Sequence, residues 1–289
     1  MTIAGQVEAE APRSGVAMLV RRVITNLLIS IWCVLGPRRI RLAQPRPAWA
    51  RPGRLVLGAA AAIALIAIAM LFLDAWIITH QRGLARWVVV TFENITDLGR
   101  SGWLLGPLGV AILALAAVSS PALGRIGQGI AASLATRLGF VFAAVALPGV
   151  IVTIVKRLIG RARPYSWERG GALNFDPFSW SVDFASLPSG HGTTAFATAF
   201  AVGALYPRLR IPLWMLAGII ALSRVAVSAH YPSDVLAGAL IGALGALVVR
   251  NWFAVRRLAF VVTPDRTVRP LPGPSLRHLR MLARRITSR

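Results

Sequence analysis

Long apolar runs with almost no charged residues are the feature that most restricts what this chain can fold into. The clearest run extends from Leu55 to Ile78 and is interrupted only by Asp74. A helix needs about 20 apolar residues to cross the hydrocarbon core of a bilayer. Further apolar runs occupy residues 103–118, 138–155, 192–206, 211–227 and 235–249. The sequence therefore predicts an all-α, polytopic membrane protein built as a bundle of six transmembrane helices.

Two further segments are predicted to lie along the membrane surface rather than to cross it. Residues 16–36 begin like a secretory signal, but no small-residue cleavage site follows, so we expect an amphipathic helix at the cytoplasmic surface. Residues 83–98 mix polar and apolar side chains and are expected to form an interfacial helix on the opposite side. The chain then divides into a basic N-terminal segment (1–54), a six-span domain (55–250) and a basic, proline-containing tail (251–289). Residues 263–289 of this tail are expected either to touch anionic lipid headgroups or to be disordered.

The basic residues indicate how the bundle is oriented. The net charge is +22, from 32 basic and 10 acidic residues. Because the basic residues lie between apolar runs, an anionic membrane surface explains them better than a nucleic acid does. Six spans place both termini on one side, and that side receives 23 of the 32 basic residues. The positive-inside rule then predicts a plasma (inner) membrane protein with cytoplasmic termini. The connections after the first, third and fifth spans face the periplasm or the exterior.

Few residues are suited to binding a metal or forming a disulfide. Cys33 is the single cysteine, and the chain has four histidines. A disulfide framework and a cysteine-based zinc site are therefore excluded, and a histidine-rich metal site is not expected. We predict neither a metal nor a cofactor.

Three short motifs lie at the outward ends of the predicted spans. The first is Lys156 followed, after six residues, by Arg163-Pro164. The second is Pro-Ser-Gly-His at 188–191. The third, at 223–234, is Ser-Arg, five residues, His, three residues, Asp. Charged residues at span ends are costly unless they are paired or act on a ligand, so these motifs are the candidates for the site.

The cations of these motifs are suited to binding phosphate. Lys156, Arg163 and Arg224 would repel one another unless an anion lay between them, and the planar arginine fork matches phosphate oxygens. Ser189 and Gly190 open a predicted helix, whose first N–H groups attract anions. Gly190 would also let the backbone approach the ligand closely.

The remaining polar residues of the motifs are suited to phosphoryl transfer. Pro232 is typical of the first turn of a helix, which would place His230 just before the sixth span and Asp234 one turn later. The carboxylate could then orient the imidazole and leave its other nitrogen free as a nucleophile. His191 would be available to protonate the leaving oxygen.

The three motifs together resemble those of the type-2 phosphatidic acid phosphatase and vanadium haloperoxidase superfamily, and they match in residue and spacing. The resemblance covers roughly residues 55–250 and implies the six-helix arrangement of the membrane lipid phosphatases. It implies a phosphohistidine-forming nucleophile at His230, with Asp234 as its partner and His191 as the leaving-group acid and later the base for water. It also implies a phosphate-binding set of Lys156, Arg163, Arg224, Ser189 and Gly190.

The expected function is thus removal of a phosphate or pyrophosphate phosphoryl group from a membrane lipid. The motifs do not select among undecaprenyl diphosphate, phosphatidic acid, phosphatidylglycerophosphate and a lipid A-like glycolipid. A lipid phosphotransferase uses the same site and is the main alternative. A transporter, a non-catalytic scaffold and a vanadate-dependent haloperoxidase are less favoured, and the oligomeric state is open.

Three charged residues near the motifs are given other roles. Asp74 is expected to pair with Arg82 or Arg86, or to help receive substrate. Arg157 and Arg161 are expected on a solvated face, where they could attract anionic headgroups.

Overall fold

The structure is a computed structural model that describes residues 15–37, 52–81, 83–169 and 171–287. Its helices are α1 (Gly15–Leu35), α2 (Pro52–Ile68), α3 (Asp74–Gln81), α4 (Arg86–Thr96), α5 (Ser101–Val118), α6 (Gly124–Ile159), α7 (Gly190–Leu205), α8 (Arg210–Ala226), α9 (Pro232–Val255) and α10 (Leu276–Thr287). A short antiparallel hairpin of β1 (Phe260–Val262) and β2 (Val268–Pro270) lies between α9 and α10. The predicted all-α class is confirmed.

Within the part of the chain that the structure describes, six segments are long and apolar enough to cross a membrane. They are Gly15–Leu35, Pro52–Gln81, Arg86–Val118, Pro121–Ile159, Pro207–Ala226 and Pro232–Val255. Five of them contain predicted spans, and the chain is a multi-pass membrane protein. The remaining predicted span forms α7, which has only 16 residues. The sixth long segment is instead α1, which we predicted to lie at the membrane surface.

The contacts of α1 show where it lies in the bundle. The side-chain amide of Asn26 donates hydrogen bonds to the carbonyl oxygens of Ala116 (2.8 Å) and Ser119 (2.9 Å), at the end of α5. Eight residues further along α1, the carbonyl oxygen of Val34 accepts from the indole of Trp252 near the end of α9. The helix therefore lies across the ends of α5 and α9. Its position at the membrane surface stays a prediction.

A π-helical segment, Ala69–Leu73, joins α2 to α3. Each π turn holds more residues than an α turn, so the segment changes the direction in which the next side chain points. That next residue is Asp74, whose side chain is completely buried.

The predicted interfacial helix at 83–98 forms a separate helix, α4, which packs against α8. A turn at Asp97–Gly99 then leads into α5. A β-carbon on Gly99 would lie 2.8 Å from Cγ2 of Ile220 and 3.0 Å from the imidazole of His191. The missing side chain at Gly99 therefore lets this turn pack against both α7 and α8.

Helix α6 is longer than its apolar run suggests, with 36 residues from Gly124 to Ile159. Arg137 directly precedes the predicted span at 138–155, but it lies inside α6 and is buried. Its guanidinium donates to Oγ of Ser133 (2.9 Å) and to the carbonyl oxygen of Leu271 (2.5 Å). The tail thus packs on the polar first half of α6. A disordered tail, one of our two expectations, is wrong for residues 263–287.

Small residues let α7 and α9 approach each other closely. Ala197, Ala201 and Ala246 are fully buried between the helices of the core. A β-carbon on Gly238 of α9 would lie 2.3 Å from the carbonyl oxygen of Ser189 at the start of α7. Close approach through small residues is the usual way in which membrane helices pack. It fixes the start of α7 against α9 at the end of the bundle that carries the motifs.

Candidate active site

The ends of four helices meet at one end of the bundle and carry the predicted site residues. Helix α6 ends at Gly160, whose φ of +62° is the left-handed conformation of a helix C-terminus, and a β-carbon there would overlap the carbonyl oxygen of Asp176. The chain can therefore turn sharply into the loop that leads to α7. All the predicted residues lie at the ends of α6, α7, α8 and α9 or just beside them. They are Lys156, Arg163, Ser189, Gly190, His191, Arg224, His230 and Asp234.

His230 precedes α9, which begins at Pro232 as predicted. Its side chain is 2% exposed, and Nδ1 lies 3.7 Å from Oδ2 of Asp234. This separation is longer than a hydrogen bond, but it directs Nδ1 towards the carboxylate and Nε2 away from it. Burial lowers the pKa of His230 to about 4, although the carboxylate of Asp234 acts in the opposite direction. The imidazole is therefore neutral near pH 7, the form that a nucleophile needs.

Besides facing the imidazole of His230, the carboxylate of Asp234 accepts hydrogen bonds from three other residues. One carboxylate oxygen, Oδ2, accepts hydrogen bonds from Oγ of Ser186 (2.5 Å) and from the backbone N–H of Tyr231 (2.9 Å). The other, Oδ1, accepts from Nη1 of Arg161 at 2.6 Å. These donors fix the carboxylate on the Nδ1 side of His230, and all of them favour its ionised form.

The three predicted cations converge on one region. The charges of Arg163 and Arg224 both act on Lys156. The ammonium of Lys156 lies 3.6 Å from the position that a β-carbon on Gly190 would take, so it is next to the start of α7. Like charges are costly to hold together unless an anion offsets them. The arrangement is therefore suited to binding a phosphate group.

Nη1 of Arg224 donates a hydrogen bond within the protein, whereas its Nε has no acceptor among the described residues. It is 8% exposed, and Nη1 donates to Oγ1 of Thr96 at 2.8 Å. Its Nε is buried and has no hydrogen-bond acceptor among the described residues. A buried donor without an acceptor is uncommon in proteins, and a bound phosphate oxygen would supply one.

Ser189 is the N-cap of α7. Its Oγ accepts a hydrogen bond from the N–H of Gly192 at 3.3 Å, and its side chain is fully buried. The first N–H groups of a helix have no intrahelical acceptors, and this cap supplies one to Gly192. The contribution of Ser189 and Gly190 to phosphate binding stays a prediction, and the structure adds a helix-capping role for Ser189.

His191 lies in the first turn of α7, next to the other site residues. The charges of Arg224 and Lys156 act on it, as does that of His230 when its ring is protonated. Its ring packs against Gly99, which restricts its movement. This placement is suited to a proton-transfer group beside the imidazole of His230.

Two of our expectations about neighbouring charges are wrong. Arg161 is not on a solvated face; it is fully buried and ion-paired with Asp74 (2.7 Å) as well as Asp234. Asp74 accordingly pairs with Arg161 and not with Arg86, while Arg82 is outside the described residues. A sign of this was available in the sequence, because Asp74 is the one acidic residue in the first apolar run. Such a residue needs a partner inside the bundle.

Comparison with known proteins connects this geometry to a family. The family model described as "PAP2 superfamily" matches residues 137–258. The chain is 35% identical to a lipid A 1-phosphatase of Rhizobium etli over 69% of its own length and 85% of that protein. It is 38% identical to a decaprenylphosphoryl-5-phosphoribose phosphatase of Mycobacterium tuberculosis over 34% of its own length and 51% of that protein.

Among solved structures, a transmembrane PAP2-type phosphatidylglycerolphosphate phosphatase of Bacillus subtilis aligns with a TM-score of 0.39 and 18% identity. The alignment covers 80% of this chain and 95% of that one. The family assignment depends instead on the match of the family model and on the relative from Rhizobium etli. The chain is a multi-pass membrane protein that belongs to the PAP2 superfamily, among its lipid phosphatases.

Proposed function

We propose that this protein removes a phosphate group from a lipid A-like glycolipid through a phosphohistidine intermediate on His230. The observation that carries this proposal is the meeting of four helix ends around a buried, neutral imidazole. That imidazole has a carboxylate on one side. Three cations and a second histidine lie near it.

In the first step, Nε2 of His230 attacks phosphorus. Burial and the charge of Arg224 lower the pKa of His191 to about 3, and the negative charge of a bound phosphate opposes this shift, so we expect His191 to take up a proton together with the substrate. The bond between phosphorus and the lipid oxygen breaks, and protonated His191 then gives its proton to that oxygen. The products of this step are the dephosphorylated lipid, phosphohistidine at position 230 and neutral His191. The imidazole ring gains positive charge as the phosphorus–nitrogen bond forms, and the carboxylate of Asp234 faces the Nδ1–H that carries it.

In the second step, neutral His191 takes a proton from a water molecule, and the resulting hydroxide attacks phosphorus. The phosphorus–nitrogen bond breaks, inorganic phosphate leaves, and His230 returns to its neutral form. His191 is again protonated, so the cycle is complete and the overall reaction consumes one water molecule.

The cations stabilise the charge on the transferred group. Lys156, Arg163 and Arg224 bind the non-bridging oxygens, and the first N–H groups of α7 add further donors. Cationic side chains take the role that metal ions have in many phosphoryl-transfer enzymes. We therefore expect full activity in the presence of EDTA.

The relatives support a substrate in which the phosphate is attached to a sugar. One is named a lipid A 1-phosphatase, and the chain covers 85% of its length. Another is named a decaprenylphosphoryl-5-phosphoribose phosphatase. The lipid A-like substrate is favoured because the first of these similarities extends over most of both proteins.

The charge distribution and α1 support an orientation with the site at the outer surface of the inner membrane. Among the described basic residues outside the site, Arg125 lies at the start of α6, Arg210 at the start of α8 and Arg256 just after α9, all at the opposite end of the bundle from the site. Helix α1 lies across that opposite end, beside Ser119 and Trp252.

The test is phosphate release by the detergent-purified protein from four lipids: lipid A, undecaprenyl diphosphate, phosphatidic acid and phosphatidylglycerophosphate. The control is His230→Gln, which keeps a polar side chain of similar size. We expect release from lipid A in the wild type and none in the variant. Phosphate release from a different lipid would show that the proposed substrate is wrong and the proposed hydrolysis is right. Transfer of the phosphoryl group to an added lipid acceptor, without phosphate release, would show that the enzyme is a phosphotransferase.

A further inference from the structure

Arg161 is a fully buried guanidinium between two fully buried carboxylates. Nη1 lies 2.6 Å from Oδ1 of Asp234, and Nη2 lies 2.7 Å from Oδ2 of Asp74. Nε and Nη2 also donate to the carbonyl oxygen of Ala172, at 3.0 and 2.8 Å. The guanidinium plane stacks on the ring of Tyr231 at 4.1 Å. The side chain is therefore fixed in position and orientation by contacts on each of its nitrogens and on one face.

Asp74 brings the first long helical segment into this cluster. The π-helical residues 69–73 directly precede it. Its Oδ1 accepts from the backbone N–H of Ser233 (3.0 Å), and its Oδ2 accepts from Oγ of Ser233 (2.5 Å) as well as from Arg161. All these partners are donors, the pattern expected for an ionised carboxylate. A buried carboxylate is costly unless it is paired in this way.

The cluster surrounds the short segment that carries the proposed nucleophile. Tyr231 and Ser233, which contact Arg161 and Asp74, alternate with His230, Pro232 and Asp234 along the chain. Arg161 thus holds both the carboxylate of Asp234 and the ring of the residue after His230. A shift of Arg161 would therefore move the two groups that define the position of the imidazole.

We infer that Asp74 and Arg161 are positioning residues that set the orientation and the electrostatic environment of His230 through Asp234. This inference rests on the proposed role of His230 as the nucleophile. With both carboxylates ionised, the three side chains carry a net charge of −1. That charge offsets the positive charge that the imidazole ring gains when it bonds to phosphorus, as preorganised charge does in other enzymes.

The charge of the cluster can be changed in both directions. Asp74→Asn raises it from −1 to 0, and Arg161→Gln lowers it to −2. The other charged or titratable groups facing His230 are Arg224 from α8, Arg163 after α6 and His191 from α7. Lys156 of α6 interacts electrostatically with Asp234, and none of these residues is altered by the two substitutions.

The experiment combines kinetics with a direct titration of the His230 ring. The protein is labelled with nitrogen-15 histidine, purified in detergent and titrated by NMR, with His230→Gln identifying the resonances. We expect the pKa of His230 to fall in Asp74→Asn and to rise in Arg161→Gln, each by on the order of one pH unit. We expect kcat to fall about 10- to 100-fold in both variants, with little change in KM.

Two further sets of variants distinguish electrostatic coupling from simple misfolding. Arg161→Lys keeps the charge but loses the fork, so kcat should fall while the pKa of His230 stays near its wild-type value. Asp265 and Arg269 form an exposed ion pair at 3.6 Å, and Asp265→Asn and Arg269→Gln are the matched controls. Neither control should change kcat or the titration of His230.

The outcomes separate this inference from the proposed function. Opposite shifts of the His230 pKa in a protein that releases no phosphate would reject the proposed function and support the electrostatic coupling. Phosphate release by the wild type, with an unshifted His230 in folded Asp74→Asn, would overturn the inference and leave the proposed function intact. Equal losses of activity in Asp74→Asn and Arg161→Gln, without opposite shifts of the His230 pKa, would show that the ion pairs are purely structural. That result would also overturn the inference.

Discussion

Nδ1 of His230 lies 3.7 Å from Oδ2 of Asp234, an oxygen that already accepts hydrogen bonds from Ser186 and Tyr231. Nδ1 itself is buried and has no hydrogen-bond acceptor among the described residues. The carboxylate can therefore favour the tautomer with its proton on Nδ1 and leave Nε2 unprotonated. Catalytic hydrogen bonds commonly shorten when substrate is bound, and the positive charge on the reacting ring would draw the two groups together.

The first prediction concerns the charge of Asp234. Asp234→Asn keeps the shape of the side chain, but it no longer favours the reactive tautomer. We expect kcat to fall about 10³- to 10⁴-fold, by analogy with aspartate-to-asparagine changes behind other catalytic histidines. The measurement is single-turnover phosphate release at saturating lipid. A loss of less than about tenfold in the folded variant would show that Asp234 does not orient the nucleophile.

The second prediction concerns pH. Burial lowers the pKa of His230 to about 4 from an ordinary value of 6.5. Between these values the unfolded chain binds more protons at this position than the folded chain does. The free energy of unfolding therefore falls as the pH decreases, because the unfolded chain takes up this proton first. The loss, about 3 kcal/mol at most, begins near pH 6.5 and is complete near pH 4.

Thermal unfolding of the wild type and His230→Gln, measured between pH 4 and pH 7.5, tests this prediction. The wild type should lose more stability than the variant as the pH falls, because glutamine does not titrate. Parallel loss of stability in the two proteins would contradict the depressed pKa of His230.

The third prediction concerns the acid. His191→Asn removes the group that protonates the leaving oxygen, so hydrolysis of a lipid phosphate should fall about 10²- to 10⁴-fold. An aryl phosphate such as p-nitrophenyl phosphate has a leaving group that needs no proton, so its first step should be much less affected. Burst-phase release of p-nitrophenol measures that step. Equal losses for both substrates would assign His191 a role other than leaving-group acid.

The fourth prediction concerns the buried Nε of Arg224. Arg224→Lys keeps a positive charge but loses this donor and the bond from Nη1 to Thr96. We expect kcat/KM to fall about 10²- to 10³-fold. Arg208→Lys, at an exposed position at the other end of the bundle, is the matched control and should be neutral. If kcat/KM of Arg224→Lys equalled that of the wild type, Arg224 would have no role in binding the phosphate.

The sequence was sufficient to predict the residues that converge on the site, because motif spacing and span ends together place them at one end of the bundle. It was not sufficient to predict their supporting contacts. Arg161 and Asp74 are 87 residues apart, and they meet because both contact the start of α9. Ser186 and Thr96 were missed for the same reason, since nothing in their local sequence indicates a partner.

Helix lengths were the weaker part of the sequence-based prediction. Hydropathy identifies the stretch of α6 that can lie in lipid, but it does not show that the helix continues through Arg137, which bonds to Ser133 and Leu271. In α1 the apolar composition suits a span, whereas the contacts of Asn26 lie at the end of α5. The local pattern alone is sufficient for neither helix.

The measurement that tests the central claim most directly is detection of phosphohistidine at position 230. His191→Asn should form the intermediate from p-nitrophenyl phosphate and hydrolyse it slowly, since it lacks the base for water. The reaction is quenched in alkali, because phosphohistidine is acid-labile, and the peptides are analysed by mass spectrometry. We predict a phosphoryl group on His230 in this variant and none in His191→Asn/His230→Gln. Turnover of the substrate without any phosphoryl group at His230, or with one on another residue, would contradict the mechanism.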